Sequence, residues 1–426
     1  MAKAVISNRI YMDLPKDKQK LFDSLTYKIV NESGATKYNQ IEIIRNYKMV
    51  TPNIVSIPQG RVDLIPEGYE IVDKRTLEFA DFPAPKFPLF PEQQVVYDNV
   101  HDTAIINALV GWGKSFFALH TIAKFGMKTL IIVHTTALRD QWIEEVNKLY
   151  GFTPGIIAAG KFDIEPAIVI GNVQSVVKVI PKIEKVFGTI VVDECHHTPA
   201  TTFSNIIDKL HCRYRLALSG TLQRKDGKHI LFPDYFGNQV FKPPQNNTMN
   251  PKIHILKSGI KLPYGKSWAD KVTALLSDKE YQDLIASIAL VQARKGHKVL
   301  VVGDRVEFLQ KVQELLGDLA VVVVGETSDR KGELEKITNG SCDILCGSAR
   351  IFSEGISINI LSCLILAMPI ASTPLLEQLI GRVMRLAEGK ITPVVIDINF
   401  AGWTEKNQNE KRLMFYMEKG WEVVNL

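Results

Sequence analysis

The stretch Ala104-Ile-Ile-Asn-Ala108-Leu-Val-Gly111-Trp-Gly113-Lys114-Ser115-Phe-Phe-Ala118 decides the fold. A short apolar run ends in a glycine-bearing turn, and a helical stretch opens at Lys114. That order describes a strand, a phosphate-binding loop and a helix. Glycines at 111 and 113 let backbone N–H groups converge on oxygen atoms, and the helix N-terminus adds partial positive charge. Lys114 can pair with the β- and γ-phosphates, and the Ser115 hydroxyl can ligate Mg²⁺. The usual pattern is GxxxxGK[ST], and Ala108 stands where its first glycine would be. Taken alone, these eight residues also admit a glycine-bearing strand-to-helix turn with an incidental lysine.

Further along, Thr189-Ile-Val-Val192 runs into Asp193-Glu194-Cys195-His196-His197. Two carboxylates at the end of a buried strand lie where α/β sheets place their ligand crevice. Asp193 can hold Mg²⁺, directly or through water. Glu194 can orient and deprotonate an attacking water. The other reading is an exposed acidic turn, with Cys195, His196 and His197 as zinc ligands or core residues. Lys114 and Ser115 upstream weigh against it.

The same alternation extends along the chain. Ala104–Ala108, Thr129–His134, Ala167–Ile170, Thr189–Val192 and Arg215–Leu218 are continuous apolar runs, as are Lys298–Val302, Leu319–Val324, Asp343–Cys346, Cys363–Ala367 and Thr392–Ile396. Such runs suit strands buried on both faces of a parallel sheet, and the segments between them are long enough for crossover helices. Two proline-rich linkers, Phe82–Pro88 and Lys242–Asn247, separate three blocks. Residues 1–85 predict a small α+β domain with a helix over Asp17–Ile29, β-rich runs such as Ile41–Val50, and turns at Ile57–Gly60 and Ile65–Gly68. Residues 86–245 and 246–426 predict two doubly wound domains, the second closing with a helix over Asn407–Lys419.

At about 100–200 residues per domain, 426 residues make two to four domains. The composition is 46% apolar and 23% charged, which excludes a collagenous, coiled-coil or largely disordered chain. The net charge of +5 is spread evenly, so any nucleic-acid surface must come from folded geometry rather than a basic tail. Five cysteines without CxxC spacing fit free thiols in a reducing compartment. The opening MAKAVISNRIYMDLP has no apolar signal core, and no apolar run reaches the ~18 residues of a membrane span. The cytoplasm is the expected location.

With these residues in place, the chain resembles a superfamily 2 DExH helicase. Ala108–Ser115 matches that superfamily's AxxGxGKS form of the loop, and Asp193-Glu-Cys-His196 its DExH box. Leu89-Phe-Pro-Glu-Gln93 resembles the adenine-reading segment, with Gln93 matched and Phe90 in place of the usual arginine. Val133-His-Thr135-Thr136-Ala-Leu138 with Gln141-Trp142 resembles motif Ia, and Gly171-Asn-Val-Gln174-Ser175 the next strand-tracking motif. Ser219-Gly-Thr221 stands at motif III, followed by Arg224, Asp226 and Gly227 in an R-x-D-G arrangement. Val301-Val-Gly-Asp304-Arg305 resembles motif IV. Ser348-Ala-Arg350-Ile-Phe-Ser-Glu354-Gly355-Ile356 resembles motif V, with Ser357 at the usual aspartate. Gln378-Leu-Ile-Gly381-Arg382-Val-Met-Arg385 is a QxxGRxxR motif VI.

The resemblance covers residues 85 to 400, about three quarters of the chain. It implies two tandem RecA-like parallel-sheet domains behind the small α+β domain, and ATP with Mg²⁺ as cofactors. Lys114, Asp193, Glu194, Gln378, Arg382 and Arg385 would serve hydrolysis. Gln93, Gly111, Gly113, Lys114, Ser115 and Gly355 would hold the nucleotide, with Ser115 and Asp193 on the metal. Thr135, Thr136, Gln174, Ser175, Arg305 and Ser348 would follow the phosphates of one strand, which is backbone contact without sequence readout. The wording DECHHTPA, the compact motor and the leader Tyr47–Pro52 with Val55–Gly60 resemble the branch of UvsW-like, XPB-like and RecG-like branch-migration helicases. That branch implies single-stranded, duplex or branched DNA as partner, replication or recombination proteins beside it, a monomer, and host cytoplasm for a phage protein. The first 85 residues would grip duplex or junction DNA, or brace the motor. A duplex translocase subunit of a restriction system and a DExH RNA helicase are the other enzyme readings, and an ATP-gated clamp without turnover is the non-enzyme one.

Overall fold

A computed structural model describes residues 2–31, 40–108, 111–195, 205–220, 222, 227–244, 248–263, 265, 267–354 and 358–426. The chain divides into two compact units, Met1–Leu109 with Gly113–Pro244, and Val110–Trp112 with Gln245–Leu426. No helix among the described residues is long and apolar enough to cross a membrane.

The first unit begins with β1 (Lys3–Ile6), β2 (Arg9–Asp13), α1 (Lys18–Ser24), β3 (Thr26–Asn31), β4 (Gln40–Arg45), β5 (Lys48–Thr51), β6 (Ile54–Pro58) and β7 (Glu70–Asp73). Five of these strands form a sheet in the order β5-β6-β2-β1-β7, and β3 pairs with β4 as a separate hairpin. Ala4, Ile6, Ile10, Met12, Val55 and Ile57 line the buried face and pack on Leu21 and Leu25. The expected helix over Asp17–Ile29 stops at Ser24. Beyond it, Thr26-Tyr-Lys-Ile29 alternates a buried Ile29 with an exposed Lys28. That period of two, in β-branched and aromatic residues, suits pairing with β4 better than another helical turn.

The unit continues with α2 (Pro91–Asn99), β8 (Ala104–Asn107), α3 (Lys114–Phe125), β9 (Thr129–Val133), α4 (Thr136–Tyr150), β10 (Gly155–Ala158), β11 (Lys161–Phe162), β12 (Ile168–Asn172), α5 (Val173–Ile183), β13 (Thr189–Val192), β14 (Tyr214–Ser219), α6 (Phe232–Phe236) and β15 (Val240–Phe241). The sheet order is β11-β10-β12-β9-β13-β14-β8-β15, parallel except at β10–β11. Every residue of β9, β12 and β13 is buried, as continuous apolar runs demand.

A buried polar layer joins the N-terminal sheet to this parallel sheet. Arg9 pairs with Asp208 at 2.5 Å and donates to Ser56 Oγ at 2.9 Å. Asp234 accepts from Tyr27 Oη and Asn46 Nδ2, both at 2.7 Å, and pairs with Arg61 at 3.3 Å. Arg215, fully buried at the start of β14, donates to the carbonyls of Asn8, Ile207 and Leu210. Burial pulls its guanidinium down to about 10. Gln59 donates to the carbonyls of Ser7 and Cys212. Gly60 has no room for a Cβ, which would come 2.4 Å from the Pro233 carbonyl oxygen.

The second unit contains β16 (Lys252–Lys261), α7 (Trp268–Leu276), α8 (Lys279–Arg294), β17 (Val299–Gly303), α9 (Val306–Leu316), β18 (Ala320–Val323), α10 (Arg330–Thr338), β19 (Ile344–Ser348), α11 (Ala349–Glu354), β20 (Cys363–Leu366), α12 (Thr373–Val383), β21 (Val394–Ala401), α13 (Trp403–Glu418) and β22 (Glu422–Asn425). Its strands run parallel in the order β18-β19-β17-β20-β21-β16-β22. Leu300 and Val302 enter one core while Val299 and Val301 enter another, so the sheet is covered on both faces. The C-terminal helix starts at Trp403, earlier than the expected Asn407. Its Arg412 pairs with Asp397 of β21 at 2.8 Å, and Tyr416 donates to the same carboxylate at 2.8 Å. The five cysteines are buried and form no disulfide.

Removing Arg9 would leave Asp208 charged and unpaired in the polar layer. Arg9→Ala should therefore cost about 3–5 kcal/mol, the usual penalty for breaking a buried pair from one side. Denaturant unfolding of the full chain measures it, and a loss below about 1 kcal/mol, the worth of an exposed pair, would contradict the burial argument.

Candidate nucleotide site and nucleic-acid interface

In the first unit, the sheet brings the candidate residues to one edge. The loop before α3 follows β8, Thr135 and Thr136 follow β9, Gln174 and Ser175 follow β12, Asp193 and Glu194 follow β13, and Ser219 closes β14. These strands are neighbours and parallel, so all five groups lie at their C-terminal ends. The ends of a parallel sheet are where backbone groups without ladder partners meet solvent and ligands.

Gly111 and Gly113 adopt left-handed φ values of 96° and 86°. A Cβ on Gly113 would also come 2.7 Å from Gln93 Nε2. Gln93 is fully buried at the start of α2, where it donates to the Gly113 carbonyl at 3.4 Å and accepts from the Phe90 N–H at 3.2 Å. Gln93 and the loop before α3 are thus in contact. Phe90 is largely exposed, with its ring 6.3 Å from that of Phe116 in the first turn of α3.

Lys114 opens α3. Its ammonium donates to the Ala108 carbonyl at 3.1 Å and stands 3.8 Å from Glu194 Oε1. Glu194 holds a left-handed φ of 45°, which non-glycine residues seldom adopt and which tends to gather at functional sites. Its neighbour Asp193 is buried. Asp193 accepts from the Trp142 indole at 2.8 Å and from the Glu194 N–H at 2.9 Å. Burial, followed by the Glu194 charge, holds the Asp193 carboxyl well above the ordinary carboxylate range, against the Trp142 bond and Lys114.

The donor set fits ATP with Mg²⁺. Gly113, with its positive φ, and the N-terminus of the twelve-residue helix after it form a cradle that a side chain would fill, with an ammonium at its rim. Among the described residues no group of three or more His, Cys, Asp or Glu could hold a metal. Mg²⁺ needs none, since it takes one or two carboxylates and completes its shell with water and phosphate. His196 and His197 lie outside the described residues, as do Thr221, Arg224 and Asp226.

Along the rest of the edge, Thr135 caps α4 by accepting from the Leu138 N–H at 3.2 Å, and Thr136 is exposed. Gln174 is exposed and Ser175 half-buried in the first turn of α5. Trp142 is the residue whose role the sequence does not disclose. It occurs there only as a member of the motif Ia pair.

The second unit carries its own group. Gln378 and Arg382 are buried on α12, and Arg382 Nε donates to the Phe352 carbonyl of α11 at 2.7 Å. Arg385 follows α12, bridges to Thr248 and reaches Asn359 Oδ1 at 3.5 Å. Lys390 ties the carbonyls of Arg385 and Asn359 at 2.6 and 2.8 Å, so motif VI is held to the segment after motif V. Burial pulls Lys390 down to about 8. Arg305 follows β17 and donates to Thr273, and Ser348 ends β19. Gly355 and Ser357 lie outside the described residues.

Gly113→Ala combines a strained φ with a clash against Gln93. It should weaken ATP binding at least tenfold, roughly the effect of 1–2 kcal/mol of strain and a displaced hydrogen bond. Titration with a fluorescent ATP analogue reads this, and unchanged affinity would show that the loop does not need this geometry.

The chain matches two family models, "Type III restriction enzyme, res subunit" over residues 36–224 and "Helicase conserved C-terminal domain" over residues 280–387. It is 41% identical over 439 residues to the probable helicase D10 of Escherichia phage T5, covering 100% of this chain and 96% of that one. It is 27% identical over 358 residues to the ATP-dependent DNA helicase uvsW of Enterobacteria phage T4, covering 76% and 71%. In fold it is similar to S. cerevisiae Dbp5 bound to RNA and ADP BeF3, with a TM-score of 0.59 at 13% identity over 79% of this chain and 89% of that one. Two RecA-like parallel sheets, a phosphate loop facing an acidic pair, and a full-length relative at this identity place the chain among the superfamily 2 helicases, as an ATP-dependent helicase enzyme.

Proposed function

We propose that this helicase uses Mg²⁺-dependent ATP hydrolysis to move along DNA, unwinding or branch-migrating forked and four-way junctions in recombination, repair or replication. One observation carries the reading. The ATP-site residues Lys114, Asp193 and Glu194 share a sheet edge with the strand-contact candidates Thr135, Thr136, Gln174 and Ser175. A nucleotide and a nucleic-acid strand can then engage the same set of strand ends. The preference for DNA rests on the named activity of the T4 relative.

In this mechanism Gln93 reads the adenine, and Gly111, Gly113 and the α3 N-terminus receive the phosphates. Lys114 leaves Ala108 and Glu194 to pair with the β- and γ-phosphates. Ser115 and Asp193 would hold Mg²⁺, which when bound offsets the charge developing on the phosphoryl oxygens. Glu194 orients the attacking water and takes its proton. Arg382 and Arg385 are assigned to the γ-phosphate by the family's motif VI, and Gln378 to coupling. Thr135, Thr136, Gln174, Ser175, Arg305 and Ser348 hold the strand through its phosphates, so affinity falls steeply with salt.

The outward face of the β3–β4 hairpin suits a duplex. It presents Lys28, Ile41, Ile43 and Arg45, all exposed, while Glu42 on the other face bonds Lys228. Two cations flanking aliphatic side chains fit a polyanion with stacked bases.

Lys114→Ala and Glu194→Gln should each abolish turnover, with Glu194→Gln still binding ATP. The assay is phosphate release with no nucleic acid, single-stranded, duplex, forked and four-way DNA, and matched RNA. Strongest stimulation by branched DNA is the expected result, and equal or stronger stimulation by RNA would replace the DNA reading with an RNA helicase. Lys28→Ala with Arg45→Ala should remove the preference for branched over single-stranded DNA while keeping ATP hydrolysis. An unchanged preference would leave the N-terminal sheet as a brace.

A further inference from the structure

Trp142 is fully buried in α4, and its indole N–H donates to Asp193 Oδ2 at 2.8 Å. An indole has one donor and no acceptor, so this single bond fixes the edge of the ring. The other carboxylate oxygen is held by the Glu194 N–H at 2.9 Å. One bond therefore comes from Asp193's own turn, and the other from a different element. That element begins at the strand-contact candidates. Thr135 caps α4 and Thr136 is its first residue. Trp142 lies two turns further on, about 10 Å along the axis at 1.5 Å per residue. Over so short a length, a displacement of the helix N-terminus reaches the indole, and hydrogen bonds weaken steeply as they misalign.

We propose that Trp142 is a positioning residue that ties the orientation of the Asp193 carboxylate to the seating of the α4 N-terminus on a nucleic-acid strand. This rests on the reading of Thr135 and Thr136 as strand contacts. The bond makes the metal-holding geometry at Asp193 depend on whether a strand is present, so hydrolysis is stimulated when the strand is bound.

A buried tryptophan that only fills the core also needs a partner for its N–H. Trp142→Phe separates the two roles, because it keeps most of the ring and removes the donor. In the full-length chain, ATP hydrolysis is titrated with Mg²⁺, with and without a single-stranded oligodeoxynucleotide. Affinity for the same oligonucleotide is read by fluorescence anisotropy. The expected result is a Mg²⁺ half-saturation raised roughly tenfold or more, the worth of one hydrogen bond to an ionised group. Stimulation by the oligonucleotide should fall while affinity for it stays unchanged. A lower melting temperature with normal Mg²⁺ dependence and normal stimulation overturns the proposal. So does a Mg²⁺ shift with full stimulation, since the bond would then orient the carboxylate without transmitting anything.

A second measurement needs no substitution at Trp142. The chain has five tryptophans, so replacing the other four by Phe assigns the Trp142 indole N–H resonance by elimination. That resonance should shift when the oligonucleotide is added without nucleotide, and an unmoved resonance overturns the proposal even if Trp142→Phe does not fold. Thr136→Ala with Gln174→Ala tests the underlying reading separately. Unchanged oligonucleotide affinity there would remove the strand-contact assignment, which is a different failure from an uncoupled Trp142.

Discussion

Burial of the parallel sheets on both faces is the constraint on which the rest of the structure depends. Strands β9, β12, β13, β17 and β20 contain no exposed residue. Polar chemistry along these strands is thereby driven to their ends, where backbone groups run out of ladder partners. In the first unit the order β12-β9-β13-β14-β8 sets five such ends in a row. The phosphate loop, the acidic pair and the strand-contact candidates are neighbours because their strands are.

Acidic groups at that edge are costly to keep charged. Asp193 is buried, with Glu194 next to it, and both raise its affinity for a proton. The Trp142 indole and the Lys114 charge act the other way. A cation bound there would do the same more strongly, since a bound metal is the largest local charge in such a site. Lys114 rests on the Ala108 carbonyl and near Glu194, positions it can leave when phosphate oxygens arrive.

The polar layer under the N-terminal sheet follows a related logic. Arg9, Asp208, Arg215 and Asp234 are all buried, and each has partners from across the layer. Such a layer contributes little net stability compared with apolar packing, but half of it left unpaired is expensive. It therefore specifies how the N-terminal sheet is seated on the first parallel sheet. For this reason the role of residues 1–85 is better probed by surface substitutions than by deletion, which would strip the partners from Asp208 and Asp234 and one carbonyl from Arg215.

The fold's parallel strands and the loop Ala108–Ser115 were legible because they are local patterns. Continuous β-branched runs report two-sided burial, and glycines before a lysine report a turn into a helix. Local patterns also misled. The expected helix ran on into Thr26–Ile29, where pairing with β4 wins. Strands β16 and β22, the last two of their sheet, went unread because lysine, histidine and glutamate interrupt their apolar residues. The sequence by itself determined which apolar runs become the buried central strands and the residue types available at their ends. Only the tertiary structure decided that Trp142 grips Asp193, 51 residues away, and that Arg9 meets Asp208, 199 away. Hydrogen bonds between such distant residues depend on where the strands lie in the sheet, and no window of neighbouring residues records that.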